Sequence, residues 1–376
     1  TADLVNTVFP EIQPLTRADW EQLEAHDHST VIAEDEGRVV GAIPFVLRPQ
    51  LLRPGLAVPV AIAHCVCVHP DYRARGVGSA LMRLAREALR DTSIALLVYT
   101  GGEGRPPYTF YERNGFVDLH YTREYYLSLA DPIAPPPDVA VDEVACDSIP
   151  GNDLHPLFQT CYGAFSGFAP RTPDHWAQAL ASIIYRELPQ RFFLARVPRA
   201  GGVEGYALLA LDRRQPVAQI LELAVCPGAS ALAPTLLRAV ASTASALGAG
   251  KLCAVSGYPD PLVSALRAAG FAAQVRGEVV VAGQVINAQA LWRLLGGEQA
   301  VAVRLWTPGM ELRLPGPGES VTLEMKPSQM QRLLLCREDL DLAVRQGRIT
   351  SPTDPPPALQ DALRRGPWVY QHLDYL

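Results

Sequence analysis

The run Val66-Cys67-Val68-His69-Pro70-Asp71-Tyr72-Arg73-Ala74-Arg75-Gly76-Val77-Gly78-Ser79-Ala80 constrains the fold more than any other part of the chain. An apolar stretch that starts near Leu56 ends at Val68, and Pro70, with no amide hydrogen to give to a ladder, stops strand pairing there. Gly76 and Gly78 allow a sharp turn and a close approach of the backbone to a ligand. Beyond them Leu81, Leu84, Ala85, Ala88 and Leu89 recur at helical spacing. The loop therefore opens a helix, whose unpaired N–H groups and positive dipole end favour an anion. Arg73 and Arg75 add charge of the right sign. Taken alone, this pattern also fits an ordinary glycine-rich turn with solvated arginines, and the flanking elements decide between the two.

Upstream, Thr30 to Ala33 and Val39 to Leu47 read as strands joined by the hairpin signal Glu34-Asp35-Glu36-Gly37-Arg38. Downstream, Ile94 to Tyr99 reads as a strand, Tyr108 to Asn114 as a short helix closed by Gly115, and Phe116 to Leu119 as a further strand. The order is hairpin, long strand, anion loop, helix, strand, short helix, strand.

With this order, two motifs resemble the GCN5-related N-acetyltransferase family. Arg73-Ala74-Arg75-Gly76-Val77-Gly78 is similar to the family's loop for the acetyl-CoA pyrophosphate, and Phe110-Tyr111-Glu112-Arg113-Asn114-Gly115-Phe116 to its second signature. The resemblance implies that Val66, Cys67 and Val68 offer backbone groups to the pantetheine arm. It implies that Arg73, Ala74, Arg75, Gly76, Val77, Gly78 and Ser79 wrap the pyrophosphate. Tyr111 would protonate the departing thiolate, and a phenol with a reference pKa of about 10 holds its proton at neutral pH for that purpose. The other reading of Tyr111 is a packed aromatic on a short helix, with Tyr108 as the alternative acid.

A chain of 376 residues exceeds one such domain and suggests two or three. Its net charge of −6 argues against a nucleic-acid partner and suits a cationic amine. No apolar run is long and charge-free enough to span a bilayer. Asp3, Asn6, Glu11 and Arg17 interrupt any signal-peptide pattern, so no membrane partner and a cytoplasmic location are expected. The 7 cysteines are odd in number and scattered, which suggests reduced thiols. Cys65 and Cys67 have no zinc-type partners nearby, and His26-Asp27-His28 reads as a solvated loop, so no metal is expected. Only Lys251 and Lys326 are lysines, and alanine, proline and glycine are plentiful, a composition consistent with a GC-rich bacterial genome.

The proline cluster between Asp131 and Asp138 reads as a linker. Beyond it the order of the first domain repeats. Leu154 to Phe165 and Asp174 to Tyr185 read as helices, then come strands at Arg191 to Val197, Val203 to Leu211 and Val217 to Val225, a helix from Ala233 to Leu247, a strand from Lys251 to Val255 and a helix from Pro261 to Ala269. The anion loop is replaced by Cys226-Pro227-Gly228-Ala229-Ser230-Ala231, and Leu266 stands where the acid would be. A second acetyltransferase-like fold without cofactor binding is expected. From about Gln284, alternating strands and amphipathic helices resemble a sterol-carrier-like domain, or else form an unrelated α+β cap.

The expected class is thus α/β (α+β): two tandem acetyltransferase-type mixed sheets with flanking helices plus a C-terminal α+β domain, divided at 1–130, 131–283 and 284–376. This order resembles the enhanced intracellular survival type of bacterial acetyltransferase. That resemblance implies transfer from acetyl-CoA to the amine of a small polyamine or aminoglycoside-like acceptor, a homo-oligomer up to a hexamer, and a terminal carboxylate, here that of Leu376, as the base. The subfamily usually ends in phenylalanine, from which Leu376 departs. The rival expectations are an apolar-ligand-binding protein that senses acetyl-CoA, and an acyltransferase using another acyl-CoA.

Overall fold

The computed structural model describes residues 1–10, 16–24, 28–181, 190–199, 202–212, 216–274, 279–364 and 366–374. The chain forms two compact units, one of Thr1–Leu119 with Val280–Gly366, the other of His120–Val279 with Pro367–Leu376. Mixed sheets with flanking helices make up both, as the sequence indicated.

The first unit opens with helices α1 (Ala2–Val8) and α2 (Arg17–Glu24), followed by the hairpin of β1 (His28–Asp35) and β2 (Arg38–Arg53). Glu36 and Gly37 turn the hairpin with φ of 48° and 79°, the left-handed pair that matches strand twist. There follow β3 (Leu56–Ala63), the short β4 (Cys67–Val68), α3 (Val77–Ala88), β5 (Ala95–Gly101), α4 (Pro106–Arg113) and β6 (Val117–Tyr121). The sheet runs β1-β2-β3-β5, then a strand from much later in the chain, Val279–Val285, then β6, with β4 paired to β2.

Strand alternation divides the core in two. Ile43, Phe45, Ala61, Ala63, Leu96 and Val98 share one face, which Leu81, Met82 and Ala85 of α3 cover together with Tyr111 and Phe116. On the other face Ala42 and Cys67 meet Leu4, Val5 and Trp20 of α1 and α2. Each large apolar side chain so buried is worth about 1.5–3 kcal/mol.

The second unit contains β7 (Arg123–Ser128), β8 (Ala140–Val144), α5 (Gly151–Tyr162), α6 (His175–Leu180), β9 (Gln190–Arg199), β10 (Gly202–Asp212), β11 (Val217–Val225), β12 (Lys251–Ser256) and β13 (Ala272–Ala273). Their sheet order is β13-β7-β12-β11-β10-β9-β8. Helices Leu232–Ala246 and Pro261–Ala268 pack on it around Leu236, Leu237, Val240 and Leu266. Most expected elements of this stretch are present within a few residues, although part of the helix read over Asp174 to Tyr185 lies outside the described residues.

The strand Val279–Val285, β14, crosses the division read at 283/284 and belongs to the first unit's sheet. β7, read as part of the first domain, belongs to the second unit's sheet. The later strands β15 (Val303–Thr307), β16 (Met310–Leu314), β17 (Val321–Met325) and β18 (Ile349–Thr350) form a separate sheet ordered β16-β15-β17-β18. Within the first unit this region is tied down by Arg53, which donates to the carbonyls of Asp361 at 3.0 Å and Ala362 at 2.9 Å, and by Arg337, which donates to Leu119 O at 2.9 Å.

Candidate active site

The first unit's sheet forks beside the expected loop. β3 runs parallel to β5 from Val60↔Ala95 to Ala63↔Val98, where the pairing ends, while Cys67 and Val68 pair only with Ala42 and Gly41 of β2. Three residues, His64 to Val66, lie between Ala63 and Cys67, against two between their partners Phe45 and Ala42. The extra residue is a bulge, with Cys65 at φ 45°, and bulges of this kind bend a strand and end its pairing. His69 N donates to Val40 O at 2.8 Å, which fixes that edge of β4 toward β2. By alternation the N–H and C=O of Val68 face the opposite, open edge. There Val68 O accepts from Arg73 Nε at 3.2 Å.

A short 3-10 turn, Pro70–Tyr72, leads into the loop, and Ala74 and Gly76 take φ of 59° and 82°. Gly76 is the N-cap of α3 and no side chain caps the helix, whose first ladder bond is Ala80 N to Gly76 O at 3.0 Å. The amides ahead of Ala80 are therefore available to a ligand. A Cβ on Gly76 would meet nothing within 4 Å, so the space in front of the loop is open. Arg73 and Arg75 are exposed at its rim, Arg75 lying over the Tyr72 ring at 5.3 Å. Tyr72 donates to Asp35 at 2.6 Å, and this bond raises its pKa. An uncapped helix end, a glycine with open space before it and two exposed guanidiniums fit a diphosphate.

The second motif packs on the first. A Cβ on Gly78 would lie 3.0 Å from Phe110 Cε2, and one on Gly41 would lie 2.8 Å from Leu81 Cδ1. These two glycines let α4 close on the loop and α3 on the sheet. Tyr111 is 8% exposed, with its ring edge-on to Phe110 at 5.3 Å and Phe116 at 5.4 Å. Tyr108 donates to Asp118 at 2.8 Å. Arg86 Nη1 donates to Asn114 O and to Gln284 Oε1, both at 3.1 Å, pinning the end of α4 to β14. Sequence reading missed Arg86, Gln284 and Gly41 because their partners lie far away in the chain.

Burial pushes the Cys65 thiol to about 11 and the Cys67 thiol to about 12, so neither is a thiolate at neutral pH. Among the described residues there is no cluster of three or more His, Cys, Asp or Glu that could hold a metal, and no helix is long and apolar enough to cross a membrane. His28 lies in β1 and its ring meets His64, rather than sitting in a solvated loop; His26 and Asp27 lie outside the described residues. Leu376 also lies outside them.

The second unit carries different chemistry in the corresponding stretch. Gly228 has a φ of 91°, and Leu266 is fully buried in the core. Its polar centre is a sealed network in which Arg171 bonds Glu222 at 3.0 Å and Asp374 at 3.1 Å. Trp176 and Tyr206 donate to Glu222 at 2.6 and 2.5 Å. Desolvation raises the Glu222 pKa.

Residues 26–118 match the acetyltransferase (GNAT) domain family. No curated protein sequence matches the chain. Among solved structures the chain is similar to a probable N-acyltransferase from Enterococcus faecalis V583, at 14% identity and a TM-score of 0.65 over 98% of this chain and 94% of that one. It is also similar to a GCN5-related N-acetyltransferase from Anabaena variabilis, at 15% identity and a TM-score of 0.65 over 97% and 95%. Eis1 from Mycobacterium abscessus matches at 16% identity and a TM-score of 0.59 over 97% and 94%. At such identities the likeness is one of fold. Residues 26–118 of the first unit thus match the acetyltransferase (GNAT) domain family, within a fold similar along nearly the whole chain to these proteins.

Proposed function

We propose that the protein is an acyl-CoA-dependent N-acyltransferase that moves an acetyl group from acetyl-CoA directly to the primary amine of a small polyamine or aminoglycoside-like acceptor. The observation that carries this reading is the joining of two features in one loop: the free edge of β4 at the fork and the open N-terminus of α3. The amides from Gly76 to Ser79, with Arg73, Ala74 and Arg75, would hold the pyrophosphate. Val66, Cys67 and Val68 would pair with the pantetheine amides as a neighbouring strand would, and a main-chain N–H of this run would polarise the thioester carbonyl.

Tyr111 would donate its phenolic proton to sulfur as the thiol leaves. The raised pKa values of Cys65 and Cys67 disfavour an acyl-cysteine and support direct transfer. The acidic net charge of −6 is compatible with a cationic acceptor. A CoA-release screen with acetyl-CoA and longer acyl-CoAs against classes of amines tests the reading. Amine-dependent release, fastest with acetyl-CoA, is expected. Acetyl-CoA binding without release for any amine would instead favour a sensing role.

A further inference from the structure

We infer that His64 and His28 form a two-imidazole relay that takes the proton from the acceptor ammonium. This rests on the transferase reading above and deepens it by assigning the base to two residues of the first unit.

The observation is geometric. His64 follows Ala63, the last residue of β3 paired to β5, and opens the bulge. Its N–H bonds Pro44 O at 3.0 Å, which places it opposite Pro44, while His28 stands opposite Val46. Positions 44 and 46 share a face of β2, so both rings rise on the same side and meet across it, His28 Nδ1 to His64 Nε2 at 3.2 Å. The Tyr111 cluster occupies the other face, with Phe45, Ala61 and Ala63.

The fork gives this pair a position relative to the reacting atoms. A pantetheine arm that leaves the pyrophosphate at α3 and pairs with the open edge of β4 runs back along the strand, so its thioester end comes to the bulge, where His64 sits. The acid then lies on one face of the sheet and the imidazoles on the other. A nucleophile attacking the carbonyl from the imidazole face would have a base beside it and the departing sulfur directed to the acid.

The proton steps balance. His64, protonated on Nε2, donates to His28 Nδ1, which leaves His64 Nδ1 without a hydrogen-bond partner among the described residues. As Nδ1 accepts a proton from the ammonium, Nε2 passes its own to His28. Burial and the neighbouring His28 hold the His64 pKa down to about 3, and in this relay His64 never retains a charge. His28, half-buried at the start of β1, becomes the imidazolium and returns its proton to solvent. The amine attacks the carbonyl carbon, the C–N bond forms and the C–S bond breaks. Of the two protons the ammonium loses, the first leaves through the relay. The second recharges Tyr111, whose own proton has gone to sulfur.

The test measures amine-dependent CoA release and acetyl-CoA binding for the full chain and its variants. His64→Ala should lower kcat by about 100-fold, leave acetyl-CoA affinity within about twofold, and regain part of the rate on addition of free imidazole. His28→Ala should lose about tenfold, because solvent replaces it in part. That variant carries the same test should His64→Ala not fold. A His64→Ala enzyme with unchanged kcat overturns the relay alone. Absence of any release by the wild type overturns the transferase reading and the relay with it.

Discussion

Gly78 and Phe110 meet so closely that a Cβ on the glycine would stand 3.0 Å from Cε2 and 3.2 Å from Cζ of the ring. The loop that opens α3 and the helix carrying Tyr111 are thereby one packed body. Gly78→Val would push Phe110 outward, an overpacking cost of about 1–3 kcal/mol. The expected result is acetyl-CoA binding weakened by about tenfold in a calorimetric titration, since about 1.4 kcal/mol is one decade.

Gly76 presents the opposite case. With φ of 82° and nothing within 4 Å of an added Cβ, a side chain there meets strain rather than a clash. Gly76→Ala should cost about 1–2 kcal/mol of stability in urea unfolding, and Gly76→Asn less, because asparagine tolerates the left-handed region.

Asp260 sets a pH dependence in the second unit. Fully buried, it accepts from Leu262 N at 2.9 Å and Ser256 at 3.0 Å, and burial raises its pKa from 3.8 to about 6. The folded state therefore binds this proton more tightly than the unfolded one. Its contribution is fully present below about pH 4 and falls as pH rises toward 6, by on the order of 2–3 kcal/mol. Asp260→Asn keeps a capping oxygen and should remove that fall from the stability profile measured between pH 4 and 7.

Arg171 is the one cation bonded to both Glu222 and Asp374 among the described residues, and it lies over the Phe158 ring at 4.8 Å. Arg171→Ala would take from two buried carboxylates the cation they share, while Glu222 keeps Trp176 and Tyr206 and Asp374 keeps Ala169 N and His175. A loss of about 3–5 kcal/mol in chemical denaturation is expected.

What the sequence makes legible is local. The loop from Arg73 to Ser79 depends on a proline, two glycines and the helix that follows, all contiguous, and that helix starts at Val77, directly after Gly76. β14 was not legible, because Val279–Val285 is a plain apolar run whose place between β5 and β6 is set by pairing with strands far away in the chain. Gln284 reaches Arg86 only through that insertion. Residues 123–128 carry no strand reading from the sequence for the same reason, since β7 pairs with the distant β12 and β13. His28 and His64 carry no motif, and only the cross-strand register across β2 brings their rings into contact.

In the proposed reaction the fork of the first unit performs acyl transfer with Tyr111 as the proton donor. The most direct measurement is steady-state and binding analysis of Tyr111→Phe, a change that removes one hydroxyl and keeps the ring packed against Phe110 and Phe116. The account predicts a kcat lower by about 100-fold for amine-dependent CoA release, with acetyl-CoA affinity unchanged. Turnover by Tyr111→Phe at the wild-type rate would contradict it.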